Sequence, residues 1–251
     1  MPGTPFHPAA VPSYRTDNSG GAVGRSDTIA AKRAGLLDRP VLASFLAVAV
    51  LCALLVAFAD RPAALWFEAH RGSSIIAAVK VFTDIGLGVW WYALAILAWL
   101  GYRFTAFLAA HGDVRARRLK RARGFGFMLA ALLATTVTNW LLKAVIGRPR
   151  PRHLFRQDAF APHPFGWDLF SNSFPSGHAQ TMATAMTALW ILFPRWGWAF
   201  ALLGGLVALS RVVVTSHYPA DIVAGAWLGV VVALAMRRCL EATGGPVAIA
   251  R

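Results

Sequence analysis

The sequence predicts an all-α integral-membrane protein, a bundle of six transmembrane helices. Its composition points to a membrane, because 57% of the 251 residues are hydrophobic and only 14% are charged, whereas a soluble domain is nearer a quarter charged. The apolar residues also occur in six runs close to the ~20 residues that a helix needs to cross a bilayer. This apolar excess is more than one soluble core requires.

The predicted spans lie at 41–59, 84–104, 125–146, 176–194, 197–215 and 219–237. The shorter, mixed segment 61–81 is compatible with an amphipathic helix on the membrane surface. We therefore expect a membrane domain over residues 40–240. A Pro-, Gly- and Ser-rich tail, 1–39, is expected to be mobile, and residues 241–251 are expected to form a short C-terminal tail.

Basic residues outside the spans predict the orientation. The formal net charge is +14, and with six spans the basic clusters fall on one side, which the positive-inside rule makes cytoplasmic. These clusters are Arg15, Arg25, Lys32, Arg33 and Arg39; Arg115, Arg117, Arg118, Lys120, Arg121 and Arg123; and Arg237 and Arg238. Binding of nucleic acid by residues 115–123 is the alternative. An orientation signal is favoured because this cluster lies between two spans.

The opposite, outer side carries its own positive charge after the third span. Thr135, Asn139 and Lys143 have the i, i+4, i+8 spacing that places them on one helical face. Lys143 alone could simply snorkel to the interface. However, Arg148, Arg150 and Arg152 follow closely, on the side where basic residues are disfavoured. An anionic ligand would explain this cluster.

The fourth span begins with Pro175, Ser176, Gly177 and His178, a pattern typical of a helix start. Helix N-termini bind anions through free backbone N–H groups, and a glycine allows close approach to the backbone. A lone histidine here would more often be an interfacial hydrogen-bonding residue. Its place beside an anion site makes His178 a candidate catalytic group.

The fifth and sixth spans supply the remaining candidates. Arg211 lies in an apolar stretch and therefore needs an anionic partner. Asp221 falls in the first turn of the sixth span, from which it can reach His217. A carboxylate bound to Nδ1–H of an imidazole fixes the tautomer and leaves Nε2 free to attack.

Together these residues predict phosphoryl transfer, whose transition state spreads negative charge over equatorial oxygens. We expect phosphate to be bound by Lys143, Arg150 and Arg211 and by backbone N–H groups near Ser176 and Gly177. His217 would attack phosphorus and His178 would protonate the leaving oxygen. Preorganised charge would supply most of the rate.

No metal or cofactor is predicted. Two histidines and an aspartate could ligate zinc, but the three cations would repel a divalent ion, and arginine and lysine suit phosphate. The two cysteines, Cys52 and Cys239, indicate neither a disulfide framework nor a zinc site.

Three motifs, in this order, resemble the type 2 phosphatidic acid phosphatase superfamily, which is related to the vanadium haloperoxidases. The first, a lysine followed after six residues by Arg-Pro, spans 143–151. The second, Pro-Ser-Gly-His, is 175–178, and the third, Ser-Arg, five residues, His, three residues and Asp, spans 210–221. The resemblance covers roughly residues 84–238; each motif alone is weak, but the ordered trio is specific.

This resemblance implies a six-helix membrane enzyme that works without metal. His178 would be the general acid, His217 the nucleophile and Asp221 the orienting partner of His217. Phosphate would be bound by Lys143, Arg150, Arg211, Ser176 and Gly177. Bacterial members act at the periplasmic face of the inner membrane on undecaprenyl diphosphate, phosphatidylglycerophosphate, phosphatidate or lipid A. The Arg-Pro-Arg-Pro stretch also resembles bacterial lipid A phosphatases.

Two alternatives stay open from the sequence. The same residues could transfer phosphate from one lipid to another. A non-enzymatic transporter or scaffold is the other alternative, but a proton path would place acidic residues inside several spans, and few occur there. The substrate headgroup and the oligomeric state are open, as is the role of the loop 152–174 in headgroup recognition or interfacial anchoring.

Overall fold

The computed structural model describes residues 39–165 and 171–249. The expected mobile tail, apart from Arg39, and residues 166–170 of the loop 152–174 lie outside these ranges. Residues 43–249 belong to one compact body, and residues 39–42 are the described end of a separate N-terminal unit. The α-helices in the described ranges are α1 (Arg39–Phe58), α2 (Asp60–Ala69), α3 (Ser74–Thr83), α4 (Gly88–Phe107), α5 (Gly112–Ile146), α6 (Pro151–Gln157), α7 (Gly177–Leu192), α8 (Gly197–Val213) and α9 (Pro219–Gly244).

Five segments of the described chain are long and apolar enough to cross a membrane. They are Arg39–Phe58, Ser74–Phe107, Gly112–Ile146, Pro194–Val213 and Pro219–Gly244. The all-α membrane bundle is thereby confirmed with five candidate spans. The fourth predicted span is instead the 16-residue helix α7, which is shorter than the ~20 residues of an ordinary span.

Helix α7 lies at the centre of the bundle and packs against α5, α8 and α9. Its buried side chains include Met182, Ala185 and Leu192, so α7 is enclosed by protein on most of its surface. Close approach to α9 depends on Gly225 and Gly229. A Cβ added at these positions would lie 2.5 Å from the carbonyl oxygen of Ser176 and 2.6 Å from that of Gln180, respectively. Small residues four apart allow such backbone contact between membrane helices.

Segment 61–81 forms two helices, α2 and α3, instead of one amphipathic helix. A turn with Gly72 separates them, and Ser73 caps α3 by accepting a hydrogen bond from the N–H of Ile75 at 3.3 Å. Helix α3 joins α4 through a short 3₁₀ turn, Asp84–Gly86, and contributes to the second candidate span.

The ends of α5 and α9 also differ from the sequence-based boundaries. The basic residues 115–123 were expected in a loop but form the first turns of the 35-residue α5. Helix α9 continues to Gly244, past the expected domain end at 240, and Val247 is buried beside it. The N–H of Val247 donates to Glu241 Oε1 at 3.2 Å, which ties the chain end to α9.

A left-handed glycine ends α5 and starts the turn toward the site. Gly147 has φ of 60°, and its N–H donates to the carbonyl of Lys143 at 3.0 Å. A Cβ here would lie 1.7 Å from the carbonyl oxygen of His163. Only glycine fits this turn, which directs Arg148 and Arg150 back over the bundle end.

Candidate active site

The three sequence motifs converge at one end of the bundle, where α5 ends and α7 and α9 begin. The N–H of Ser173 donates to the carbonyl of Arg148 at 2.6 Å, and the N–H of Ser176 donates to the carbonyl of Asp221 at 3.0 Å. Backbone hydrogen bonds therefore join the first motif to the segment that leads into the second, and the second motif to the third.

A cavity of about 270 Å³ opens at this junction. Four of the predicted site residues line it: Lys143, Arg150, Gly177 and His178. Tyr92 and Trp140 add aromatic wall on the side of α4 and α5. Ser176, Arg211, His217 and Asp221 are not among the lining residues and lie in the buried shell that supports the cavity.

Lys143 connects the end of α5 to the segment before α7. Its Nζ donates to the carbonyl of Asn172 at 2.6 Å, and Asn172 Nδ2 donates back to the carbonyl of Lys143 at 2.8 Å. Thr135 and Asn139 are also buried, and Thr135 Oγ1 accepts from Thr184 of α7 at 3.2 Å. The polar face predicted for the third span therefore faces α7.

The start of α7 differs in one respect from the expected anion site. Because the N–H of Ser176 already donates to Asp221, this N–H is occupied. Ser176 Oγ accepts from the N–H of Ala179 at 3.4 Å and caps the helix. The N–H groups of Gly177 and His178, in the first turn, lack intrahelical acceptors as at any helix start.

His217 and Asp221 form a buried pair between α8 and α9. His217 Nδ1 lies 3.5 Å from Asp221 Oδ2 and 3.4 Å from Ser173 Oγ. The same Asp221 oxygen accepts from the Ser173 hydroxyl and, at 2.8 Å, from the N–H of Tyr218. The carboxylate is therefore at the Nδ1 edge of the imidazole, as the spacing predicted.

Arg211 holds the loop that carries His217. Its carbonyl accepts from the N–H groups of Ser216 at 3.0 Å and His217 at 3.2 Å, while its Nη1 donates to Thr83 Oγ1 at 3.0 Å. Within residues 39–165 and 171–249, no carboxylate lies within 4.0 Å of this guanidinium. A buried cation without a carboxylate partner is suited to an anionic ligand.

Burial lowers the pKa of His217, Asp221 raises it, and the charges of Arg150 and Lys143 lower it, so that together they bring it from 6.5 to about 4. The pKa of His217 therefore lies well below neutrality, and the imidazole is uncharged at neutral pH. An uncharged imidazole keeps a lone pair for attack.

Sequence reasoning missed two residues, Asp60 and Ser173, and gave Arg148 no specific role. Arg148 bridges two buried carboxylates: its Nη1 is 2.9 Å from Asp221 Oδ1 and its Nη2 is 2.9 Å from Asp60 Oδ2. One signal for Asp60 was available, since it is a rare acid directly after an apolar run. Nothing in its local pattern indicates the partner.

Comparison with known proteins gives one family. The model of the PAP2 superfamily matches residues 124–244. The lipid A 1-phosphatase of Rhizobium etli is 33% identical over 189 residues, which cover 70% of this chain and 79% of the relative. The undecaprenyl-diphosphatase of Bacillus subtilis is 26% identical over 172 residues, covering 66% and 78%.

A solved structure shares the fold. The crystal structure of the PAP2-type phosphatidylglycerolphosphate phosphatase from Bacillus subtilis superposes with a TM-score of 0.59 and 21% identity. The match covers 81% of this chain and 96% of that one.

Proposed function

Because this chain belongs to the PAP2 superfamily and is a membrane lipid phosphate phosphatase, we propose that it works through a phosphohistidine on His217. The observation that carries the proposal is the cavity lined by Lys143, Arg150 and His178 beside the buried pair of His217 and Asp221. Cations, an acid and a nucleophile are thus gathered at one place where a phosphate can bind.

Binding comes first in this mechanism. Lys143, Arg150 and Arg211 hold the non-bridging phosphate oxygens, assisted by the N–H groups that open α7 at Gly177. The Ser176 hydroxyl caps the helix that presents these groups. Tyr92 and Trp140 give the cavity an apolar wall against which the lipid part of the substrate lies.

The proposed chemical steps give the two histidines different roles. Nε2 of His217 attacks phosphorus, the bond from phosphorus to the ester oxygen breaks, and His178 gives its proton to that oxygen. His178 then takes a proton from water, whose oxygen attacks the phosphohistidine and releases inorganic phosphate. Asp221 holds the imidazole of His217 by its Nδ1 edge and stabilises the positive charge that phosphorylation creates.

For the substrate we propose a lipid phosphate of the lipid A 1-phosphate or undecaprenyl diphosphate type. This proposal rests on the relatives, because the lipid A 1-phosphatase of Rhizobium etli and the undecaprenyl-diphosphatase of Bacillus subtilis each match over most of their length.

The test is phosphate release by the detergent-purified protein from lipid A, undecaprenyl diphosphate, phosphatidylglycerophosphate and phosphatidate. We expect release to continue in EDTA, because the proposed mechanism uses no metal, and to be inhibited by vanadate. Loss of activity in EDTA that zinc or magnesium restores would contradict the mechanism. Movement of label to an acceptor lipid without free phosphate would indicate phosphotransfer instead.

We further propose that α7 crosses the membrane as a shortened span, the fourth along the chain, which brings the total to six. We also propose that the site faces the periplasm of a bacterial inner membrane. In α5, 20 residues separate Arg123, the last of the basic residues 115–123, from Lys143. That length of helix rises ~30 Å, the thickness of the hydrocarbon core. The positive-inside rule assigns the basic end to the cytoplasm.

Thiol labelling tests this orientation. Cys239 is exposed at the end of α9, whereas Cys52 is buried. In intact cells we expect a membrane-impermeant maleimide to leave Cys239 unmodified but to label an Ala161→Cys variant, whose new thiol lies in the exposed loop beside the site. Opening the membrane should make Cys239 reactive; the reverse pattern would place the site in the cytoplasm.

The acid titration of His217 provides a further prediction. Since the folded-state pKa is about 4, the imidazole should stay neutral as the pH falls from 8 to 5 and take up a proton only near pH 4. The measurement is a ¹⁵N NMR titration of histidine-labelled protein in detergent, with the His217 signal assigned through a His217→Gln variant. Protonation near pH 6.5 would show that the imidazole is solvated.

A further inference from the structure

A buried chain of three charges lies behind the proposed nucleophile. The guanidinium of Arg148 is held between Asp60 and Asp221, each at 2.9 Å, and the side chains are at most 4% exposed. Asp60 belongs to the start of α2, Arg148 to the turn after α5, and Asp221 to the first turn of α9. Three separate parts of the chain thus meet directly behind His217.

We propose that Arg148 and Asp60 are positioning residues, which act through Asp221 to hold the imidazole of His217 in the attacking orientation. This inference rests on the proposed function, in which His217 is the nucleophile.

The two oxygens of the Asp221 carboxylate have different hydrogen-bond partners. Its Oδ1 accepts from Arg148 Nη1 at 2.9 Å. Its Oδ2 faces His217 Nδ1 and accepts from Ser173 and Tyr218. Without Arg148, Oδ1 would lose its charged donor in a buried site, and the carboxylate could rotate to regain one. The contact with Arg148 therefore keeps Oδ2 turned toward the imidazole.

Arg148 is itself held in place by its surroundings. Its guanidinium lies 4.3 Å from the ring centroid of Tyr218 and 5.1 Å from that of Phe160. Two aromatic rings and two carboxylates thus surround this planar group and restrict it to one orientation. A lysine ammonium could not make both carboxylate contacts in the same fixed plane.

Asp60 contacts both Arg148 and the first turn of α9. Its Oδ1 accepts from the N–H of Ala220 at 3.0 Å, so the carboxylate that binds Arg148 also holds the first turn of α9. Burial raises the pKa of Asp60, while the N–H of Ala220 and the charge of Arg148 lower it. As a carboxylate, Asp60 offsets the charge of Arg148, so that Asp221 remains free to stabilise the cation that forms on His217.

The alternative is a purely structural role, in which Asp60 and Arg148 only tie α2 to the rest of the protein. The chain offers a matched control for this alternative. Arg61, the next residue along α2, forms an ion pair with Asp158 at 2.9 Å, and both side chains are exposed. An Arg61→Gln variant removes an ion pair from the same helix without touching the pair of His217 and Asp221. Exposed pairs contribute little to stability.

The experiment compares the parent enzyme with Arg148→Gln, Arg148→Lys, Asp60→Asn, the Asp60→Asn/Arg148→Gln double variant and Arg61→Gln. Values of kcat and KM are taken per folded molecule, counted by size-exclusion chromatography. We expect Arg148→Gln to lower kcat roughly 10- to 100-fold, by analogy with residues that orient metal-binding histidines, with KM changed less than about threefold. Arg148→Lys should recover part of kcat, and Arg61→Gln should match the parent.

The double variant tests whether Asp60 acts through Arg148. If it does, kcat of the double variant is no lower than kcat of Arg148→Gln alone, because the two residues belong to one chain of contacts. If the fold reduction of kcat in the double variant equals the product of the reductions in the two single variants, Asp60 and Arg148 have independent roles, and the proposal is overturned.

A readout independent of turnover separates this inference from the proposed function. In ¹⁵N NMR spectra at pH 7, we expect the His217 imidazole of the parent and of Arg61→Gln to carry its proton on Nδ1 alone, and that of Arg148→Gln to show mixed tautomers. An unchanged tautomer in Arg148→Gln overturns the positioning role, whatever the activity. A parent that shows the fixed tautomer but releases no phosphate contradicts the proposed function alone. If Arg148→Gln does not fold, kcat and the His217 tautomer are measured in Arg148→Lys and Asp60→Asn instead. A lower kcat with mixed tautomers supports the positioning role, and an unchanged tautomer in both variants overturns it.

Discussion

Replacing His217 with glutamine is expected to lower kcat roughly 10⁴- to 10⁶-fold, as loss of a catalytic nucleophile does in other covalent mechanisms. Glutamine fills a similar volume but cannot form the bond from Nε2 to phosphorus. The measurement is release of inorganic phosphate from a lipid phosphate by purified protein. The variant should still insert and fold, because His217 contributes one side chain to a shell held by backbone hydrogen bonds.

His163→Gln is the matched control for this experiment. His163 is an exposed histidine near the same end of the bundle, and it does not line the cavity. We expect its kcat to equal that of the parent. Rapid acid quenching with ³²P-labelled substrate should trap phosphohistidine in the parent and in His163→Gln, but not in His217→Gln. Normal turnover by His217→Gln would defeat the mechanism.

Replacing His178 with glutamine is expected to lower kcat by roughly 10²- to 10⁴-fold on a lipid phosphate, the range for loss of a general acid. The expected effect depends on the leaving group. An alkoxide from a lipid needs a proton, whereas nitrophenolate leaves without one. The first step on p-nitrophenyl phosphate should therefore be much less affected than the first step on the lipid.

A burst experiment makes this difference visible. Since His178 also activates the water in the proposed mechanism, hydrolysis of the phosphohistidine should be slow in the variant. We expect His178→Gln to release about one equivalent of nitrophenol rapidly and then turn over slowly. The position of His178 on the cavity wall supports this double role. Equal losses on both substrates, without a burst, would assign His178 to binding instead of proton transfer.

Much of the membrane fold follows from local sequence. Five of the six predicted spans correspond to candidate membrane-spanning segments, because hydrophobicity and length alone decide whether a helix can cross a bilayer. The departure is α7, whose 16 residues are enclosed by α5, α8 and α9. Its length depends on its neighbours, because a helix covered by protein does not have to match the lipid thickness by itself.

The candidate site divides in the same way. A spacing of four residues brought Thr135, Asn139 and Lys143 to one face and Asp221 to the Nδ1 edge of His217, since local chain geometry fixes such short-range relations. Occupation of the Ser176 N–H by Asp221 and the contact of Arg211 with Thr83 could not be predicted. Both depend on how separate helices pack.

By itself, then, the sequence determined the membrane class, the approximate spans and the cationic, two-histidine character of the site. Hydropathy, helix-start residues and short spacings are properties of contiguous chain. Only the tertiary structure decided that Arg148 lies between Asp60 and Asp221, residues far apart in the chain. The reason is physical: a buried charge must find its partner wherever packing places one, and no local pattern records which partner that is.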